Sequence, residues 1–290
     1  MAVDVIIIGG GLVGCMTAKY LRSKGLTIKI IDSGHPLAAS KCCFGNFKEG
    51  WINESIRHEF EDGLSLLNKY SGGLKEITLF NVKKEKEEEF WIADYRKILD
   101  ETICVGEVVG IKNKTIEYIS AGENFKETAK EAIIVCVGAF TQELLEQCGY
   151  KNAPKMDRLY GATIHVDMKI EENRITEWCP YKQSVLLKRD NGFVFGDGFT
   201  VKNPKPKDDR IKDGSERLQK HMNELVGITV PNDKIKEVRE GYRPYLQKGT
   251  KNFVNKHDKN LFSATGGAKN TLILCGHMAK QVWKQIQKIK

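Results

Sequence analysis

The beginning of the chain shows the change of hydrophobic period that is typical of a strand followed by a helix. Residues 3–8 (Val-Asp-Val-Ile-Ile-Ile) form a short, β-branched apolar run, as expected for a strand buried on both faces. After a glycine cluster, apolar residues recur at helical spacing and predict a helix over residues 12–23. Gly25 ends that helix, and residues 27–31 predict a second strand. The pattern therefore predicts the start of a βαβ unit.

The rest of the chain mixes both periods and shows no internal repeat. A charged run at residues 83–89 is interpreted as a solvated edge. A hairpin is predicted from residues 114–120 and 124–131. Further helices are predicted at 54–70, 94–100, 141–147, 215–225 and 271–289, and further strands at 103–111, 132–137, 161–166, 184–187, 193–196 and 261–264.

Composition narrows the class of protein. The chain has 290 residues and is 41% hydrophobic, which supports a substantial buried core. Its 46 Lys and Arg residues against 38 Asp and Glu residues give a net charge of +8. The basic residues are scattered, which indicates a solvated surface and leaves nucleic-acid binding open.

The cysteines and the lengths of the apolar runs indicate where in the cell the protein is expected. The 8 cysteines form no CxxC pair, and no signal peptide is recognised ahead of Asp4, so we predict a reducing, cytoplasmic location. No apolar run approaches the ~20 residues that cross a bilayer, so no membrane span is predicted. The 6 histidines show no metal-ligand spacing, and no metal is predicted.

The glycine cluster carries the strongest chemical signal. Gly9, Gly11 and Gly14 form a GxGxxG pattern between the predicted strand and helix. Gly9 permits the tight turn, Gly11 lets the backbone approach a pyrophosphate, and Gly14 allows close strand–helix packing. The helix N-terminus then faces the phosphates, and Asp32 ends the second strand, where an acid binds a ribose diol. This order of features predicts dinucleotide binding by a Rossmann-type unit.

Several later segments extend this interpretation. A second strand ending in glycine occurs at residues 133–138. The other segments are 39–45 (Ala-Ser-Lys-Cys-Cys-Phe-Gly), 137–140 (Val-Gly-Ala-Phe), 192–196 (Gly-Phe-Val-Phe-Gly), 241–244 (Gly-Tyr-Arg-Pro) and 264–267 (Ala-Thr-Gly-Gly). In this order they resemble the flavoprotein superfamily of D-amino-acid oxidase, glycine oxidase and sarcosine oxidase. The resemblance implies FAD as the cofactor.

The resemblance also implies the architecture and the site. The fold class is α/β, with a discontinuous Rossmann-type FAD-binding domain (1–75, 94–157 and 241–290). A smaller α+β substrate domain, built on an antiparallel sheet, takes residues 76–93 and 158–240. The chain is implied to be a shortened member of the superfamily. The residues implied to bind FAD are Gly9, Gly11, Leu12, Val13, Gly14, Asp32, Ser33, Ser40, Lys41, Cys42, Val108, Gly138, Gly266, Gly267, Ala268, Lys269 and Asn270.

Two residues are candidates for contact with substrate. In the amino-acid oxidases the arginine that corresponds to Arg243 clamps the substrate carboxylate, which a planar guanidinium does bidentately. The alternative for Arg243 is a structural ion pair. Tyr160 either faces the substrate or is a half-buried strand aromatic. In the terminal turn, Gly266, Gly267 and Asn270 are expected to bring the backbone close to the flavin and to cap a helix that begins near Thr271.

Some features depart from the family. The tyrosine that glycine oxidases carry in one substrate-domain strand is absent, and a valine (Val185) lies near the corresponding position. The oxygen-activating lysine of sarcosine oxidases has no clear counterpart. Cys42 lies about where some relatives of dimethylglycine dehydrogenase carry a flavin-bonded histidine. We interpret it as a small packing residue, with a thioether to the flavin as the alternative.

The leading functional hypothesis is oxidation of a C–N bond in an amino acid or N-substituted glycine, with hydride transfer to FAD. The expected partner is a small, carboxylate-bearing amine. The alternatives are an FAD-dependent dehydrogenase of 2-hydroxy acids or glycerol phosphate, modification of a tRNA wobble uridine, and a non-catalytic flavin-binding module. The hydroxy-acid reaction needs a base that the sequence does not reveal.

Overall fold

A computed structural model describes residues 2–179, 182–189, 191–205, 214–247 and 252–289. The strands, in chain order, are β1 (Val5–Ile8), β2 (Ile28–Asp32), β3 (Asn46–Phe47), β4 (Leu74–Asn81), β5 (Lys86–Ala93), β6 (Ile103–Val105), β7 (Glu107–Lys112), β8 (Thr115–Ser120), β9 (Glu123–Thr128), β10 (Ala132–Val135), β11 (Met156–Val166), β12 (Arg174–Cys179), β13 (Lys182–Arg189), β14 (Gly192–Gly196), β15 (Val201–Lys202), β16 (Ile235–Leu246), β17 (Val254–Asp258) and β18 (Leu261–Ala264). The helices are α1 (Leu12–Arg22), α2 (Arg57–Tyr70), α3 (Tyr95–Leu99), α4 (Thr141–Gln147), α5 (Gly214–Val226) and α6 (Thr271–Gln287).

The first sheet is parallel except at one edge, and its order is β17-β18-β10-β1-β2-β6. Its central strands are apolar throughout because both faces are covered. Ile7 and Ile134 pack towards α1, α2 and α6, whereas Ile6 and Ile133 pack towards α4 and a small sheet of β7, β8 and β9. The predicted α/β fold class is confirmed.

The second sheet is mainly antiparallel and has the order β15-β11-β14-β13-β12-β4-β5-β3, with β16 also paired to β11. One face is covered by α5, where Leu218 and Met222 pack on Ile164 and Phe195. The opposite face carries the glycines and small residues that line a cleft. The sheet therefore has one core face and one cleft face.

The predicted strand 103–111 is in fact two strands in different sheets. Ile103–Val105 pairs with β2, whereas Glu107–Lys112 pairs with β8. Between them, the Gly106 N–H donates to the Asp32 carbonyl oxygen at 2.9 Å, and a Cβ atom at Gly106 would lie 2.6 Å from the Tyr118 ring. The chain changes sheets at this glycine, which the hydrophobic pattern could not show.

The interpretation of residues 83–89 as a solvated edge was wrong in part. Lys86–Ala93 is a strand that pairs with β4, and Glu88 within it is buried. Lys48 and Lys84 hold the Glu88 carboxylate at 3.0 and 3.1 Å, so the buried charge is paired. These ion pairs keep the pKa of Glu88 below its usual value although burial alone would raise it.

The two-domain division remains a prediction, and three strands cross its boundaries. β4 runs through residues 75 and 76, β11 through residues 157 and 158, and β16 through residues 240 and 241. Within the described ranges, no helix combines the length and the apolar character needed to span a membrane.

Candidate active site

A cleft of about 1470 Å³ lies between the parallel sheet and the cleft face of the antiparallel sheet. It is large enough for a dinucleotide and a small second molecule, because sites for drug-sized ligands span roughly 300–1,000 Å³. Most of the residues predicted for the site line it: Gly9, Gly11, Leu12, Val13, Asp32, Ser33, Ser40, Cys42, Val108, Gly138, Arg243, Gly267, Ala268, Lys269 and Asn270. The predicted residues Gly14, Lys41, Tyr160 and Gly266 do not.

The glycine-rich turn is built as its spacing suggests. Gly9 has φ +105°, and a Cβ atom there would lie 2.5 Å from the Cys136 carbonyl oxygen. A Cβ atom at Gly14 would overlap the Gly9 carbonyl oxygen, so Gly14 serves helix–strand packing. Helix α1 has Gly11 at its N-cap and no acidic residue in its first turn. That end of the helix therefore suits an anion such as a pyrophosphate.

Asp32 lies at the end of β2 beside this turn. Its Oδ2 atom accepts a hydrogen bond from the Gly10 N–H and its Oδ1 atom accepts one from the Gly34 N–H, both at 2.6 Å. Ser40 Oγ accepts a hydrogen bond from the Leu12 N–H at 3.0 Å. Lys41, in contrast, points out of the cleft, and its ammonium donates to the His35 carbonyl oxygen at 3.4 Å.

The terminal turn lies where the prediction placed it, but its cap differs. Gly266 and Gly267 have φ +102° and +85°, and α6 begins at Thr271. Asn270 is at the N-cap position, yet its side chain makes no capping hydrogen bond. Instead, the Thr271 hydroxyl lies 2.9 Å from the carbonyl oxygens of Gly266 and Ala268. The hydroxyl therefore holds the turn together, which the sequence interpretation missed.

Arg243 lies on β16 opposite Leu159 of β11, and its guanidinium rests over Gly161, where a Cβ atom would overlap it. No described residue forms a hydrogen bond or an ion pair with this guanidinium. Burial lowers the pKa of Arg243, and the nearby carboxylate of Asp197 only partly opposes that shift. The Asp197 carboxylate is already bound by Arg217 and His221 at 3.0 and 2.9 Å. Arg243 thus presents an uncompensated charge to the cleft.

Cys42 ends a short 3-10 helix (Ala39–Cys42) and lines the cleft close to Arg243. Burial raises the pKa of its thiol to about 11, although the Arg243 charge favours the thiolate. The thiol is therefore protonated at neutral pH and is a weak nucleophile.

Tyr160 is not a cleft residue: its position in the core of the sheet favours the second of the two possibilities that the sequence leaves open, a strand aromatic. Successive residues of a strand point to opposite faces, so Tyr160 and Gly161 cannot share one. The Tyr160 ring is 1% exposed in the core under α5, and its hydroxyl donates to the Glu240 carboxylate. Burial and this carboxylate both raise the pKa of the Tyr160 phenol well above its usual value.

Three cleft residues were given no individual role by the sequence interpretation: Phe44, Gly161 and Gly196. Glycine within a strand often marks a close approach by another group, and that signal could have singled out Gly161 and Gly196. Phe44 follows the small-residue segment and carries no comparable signal.

The family model described as "FAD dependent oxidoreductase" (DAO) matches residues 4–81 and 101–284. The chain belongs to this family. Its cofactor is FAD, and the protein is an FAD-dependent oxidoreductase. The open end of α1, the glycine turn and Asp32 fit that cofactor, since they match the needs of a pyrophosphate and a ribose.

Solved structures with the same fold include relatives with different substrates. A glycerol-3-phosphate dehydrogenase from Bacillus halodurans, complexed with FAD, has a TM-score of 0.72 at 12% identity, over 99% of this chain and 64% of that one. A glycine oxidase from Geobacillus kaustophilus has a TM-score of 0.69 at 14% identity, over 99% and 95%. An iminodiacetate oxidase from Chelativorans sp. BNC1 has a TM-score of 0.69 at 16% identity, over 98% and 95%.

The chain thus spans less than two thirds of the glycerol-3-phosphate dehydrogenase and nearly all of the two oxidases. Comparison with curated protein sequences gives no significant match. At these identities the similarity establishes the fold and leaves the substrate open.

Proposed function

We propose that this oxidoreductase oxidises the C–N bond of an amino acid or an N-substituted glycine. The observation that carries the proposal is the Arg243 guanidinium, which lies in the cleft wall without a partner among the described residues. An unpaired, half-buried charge is costly, and a bound carboxylate offsets that cost. The planar guanidinium matches a carboxylate through two parallel hydrogen bonds.

For the rest of the reaction, the main task of the protein is to position the substrate. Arg243 would hold the carboxylate and so fix the orientation of the adjacent α-carbon. FAD, when bound, supplies the acceptor for the hydride that leaves this carbon. A substrate amine bound in its neutral form loses the hydride without a protein base. Water then hydrolyses the imine to an oxo compound and a free amine or ammonia.

A second candidate is oxidation of a 2-hydroxy acid or of glycerol phosphate, because a guanidinium binds carboxylates and phosphates alike. That reaction needs a base for the hydroxyl proton. Two of the carboxylates that line the cleft are already engaged, Asp32 by backbone N–H groups and Glu143 by Arg158. Amine oxidation makes no such demand and is therefore the first proposal.

The test is anaerobic reduction of the bound flavin by a panel of amino acids, N-methylated amino acids, 2-hydroxy acids, glycerol phosphate and tRNA. Bleaching by amino acids or N-methylated amino acids, and by no other class, is the expected result. Bleaching only by hydroxy acids or glycerol phosphate would favour the second candidate. Reduction of the flavin that depends only on tRNA would favour the wobble-uridine alternative.

A further inference from the structure

We propose that Phe44 sets the upper size limit for the apolar substituent of the substrate, by closing the cleft wall opposite Arg243. The proposal rests on the proposed function, since it takes Arg243 as the carboxylate site. Phe44 is then a specificity-determining residue, and the cleft accepts substrates with small, apolar substituents on the α-carbon.

The first observation is the contact of Phe44 with a glycine of the sheet. Phe44 and Gly196 both line the cleft, and a Cβ atom at Gly196 would lie 2.7 Å from Phe44 Cζ. The same Cβ atom would lie 3.4 Å from the Thr163 methyl group. Any side chain at position 196 would therefore displace the ring. The ring occupies the space above the sheet that a side chain at position 196 would fill.

The second observation is that the backbone around Phe44 is held on both sides. Arg189 Nη2 donates to the Phe44 carbonyl oxygen at 2.8 Å. The next residue, Gly45, has φ +85° and accepts a hydrogen bond from the Ala93 N–H at 2.8 Å. The ring packs on the apolar cluster that contains Val185 and Val194. Phe44 is thus a fixed wall, because both its backbone and its ring are anchored.

The third observation is the relative position of Phe44 and Arg243. Gly161 lies under the Arg243 guanidinium, and Thr163, two residues along β11, lies next to Gly196 of the neighbouring strand β14. Two residues along a strand and one strand across separate Gly161 from Gly196 by about 8 Å. That spacing leaves room for a few carbon atoms between the carboxylate site and the Phe44 ring.

The surface between these two points is small and apolar. Gly161 and the Thr163 methyl group form it, on the face of the sheet that lines the cleft, and Val185 follows beyond Gly196 on the next strand. The Thr163 hydroxyl is shielded from solvent and lies beside the Cys42 thiol, so it offers no exposed polar contact. A polar or charged substituent would lose its hydration there without compensation. The wall therefore favours short aliphatic substituents.

The test uses the FAD-loaded protein and unbranched carboxylates from acetate to hexanoate, with binding measured as a perturbation of the flavin spectrum. The variants are Phe44→Ala, Phe44→Leu, Gly196→Ala and Arg243→Ala. The controls are Phe125→Ala, which removes an exposed phenylalanine of β9, and Gly110→Ala, which replaces a strand glycine of β7 with more space around it. Flavin reduction by amino acids of increasing side-chain length is the parallel measurement.

We expect wild-type affinity to rise over the first carbons and then to fall. In Phe44→Ala the rise should continue, by about fourfold for each further buried methylene group. Phe44→Leu should lie between the two, which keeps the test valid if the alanine variant folds poorly. Gly196→Ala should move the ring into the cleft and shift the optimum to shorter ligands, while the controls follow the wild type.

Two results would count against the idea in different ways. An unchanged length profile in both Phe44 variants, with binding still lost in Arg243→Ala, overturns the role of Phe44 and leaves the proposed function standing. Carboxylates and amines that leave the wild-type flavin unaffected overturn the proposed function, and the role of Phe44 with it.

Discussion

Arg243 is the side chain on which the proposed function depends. Its residue type and its place in a Gly-Tyr-Arg-Pro segment made it a candidate from sequence, but its unpaired state depends on contacts between separate strands. A strand glycine between Tyr160 and Ala162 can indicate a close approach, but the sequence does not reveal that the approaching group is the Arg243 guanidinium.

Replacing Arg243 tests the clamp directly. Arg243→Ala should keep FAD but lose the charge-assisted pair, worth about 2–5 kcal/mol, or roughly 30-fold to several-thousand-fold in kcat/KM. Arg243→Lys should recover only part of this, because an ammonium lacks the planar fork. Melting temperature and anaerobic flavin reduction are measured on the same sample. Normal reduction by a folded Arg243→Ala protein would exclude Arg243 from the site.

Gly161→Ala tests the same clamp without removing its charge. The new methyl group would overlap the guanidinium and push it aside. A shift of about 1 Å can cost on the order of 100-fold in rate, so kcat/KM should fall strongly while FAD content is unchanged. Gly110→Ala is the matched control. Wild-type affinity for carboxylates in Gly161→Ala would show that the guanidinium does not need this space.

Cys42 allows a test of cofactor attachment. Its protonated, weakly nucleophilic thiol favours non-covalent FAD. Acid precipitation of the wild-type protein should leave all of the flavin in the supernatant, and Cys42→Ser should behave identically. Yellow colour that stays in the wild-type pellet, and is absent from the Cys42→Ser pellet, would establish a thioether instead.

At the scale of elements, strongly periodic segments were predictable and mixed ones were not. The β-branched runs of β1 and β10 and the amphipathic α6 appear where the sequence indicated. β16 was not predicted as a strand, and only its Gly-Tyr-Arg-Pro segment was singled out, because charged residues such as Lys236 and Glu237 interrupt its pattern. Its conformation comes from pairing with β11 along nearly its whole length, a long-range contact that no local pattern encodes.

The packing of α2 on α6 gives a prediction about stability. The two helices meet at Gly63 and Gly276, where a Cβ atom at Gly276 would overlap the Gly63 carbonyl oxygen. Gly276→Ala should force the helices apart and cost about 1–3 kcal/mol, seen as a melting temperature lower by several degrees. Gly50→Ala is the control, since a Cβ atom at Gly50 meets nothing within 4 Å. Equal melting temperatures would mean that the helices adjust freely.

For the whole molecule, the sequence predicted the α/β class and picked out many of the residues that line the cleft, since these depend on local motifs. It could not predict which strands share a sheet or which face of β11 borders the cleft. The choice between the two possibilities for Tyr160 stayed open for that reason, because a displacement of one residue along a strand exchanges core and cleft.

Two half-buried histidines predict how the stability of the whole protein depends on pH. Burial lowers the pKa of His257 to about 4, from an ordinary value of 6.5, and a contact with Asn152 only partly opposes this. Unfolding releases an imidazole that binds a proton more readily. The contribution of neutral His257 is therefore complete above pH 6.5 and is lost as the pH falls towards about 4.

The measurement is the free energy of unfolding of the wild type and of His257→Gln between pH 4 and pH 7.5. The variant should lose less stability on acidification, because one titrating group is gone. His165, whose pKa burial also lowers to about 4, should still titrate and leave a residual slope. Parallel pH profiles for the two proteins would contradict the assignment.

The sheet order also has a consequence for biosynthesis. β18 pairs with β10, and α6 packs on α1 and α2, so the last segment of the chain completes a layer begun by the first. Because synthesis proceeds from the N-terminus, β18 and α6 are added after the other elements of that layer. Nascent chains that still lack β18 and α6 should therefore not retain FAD.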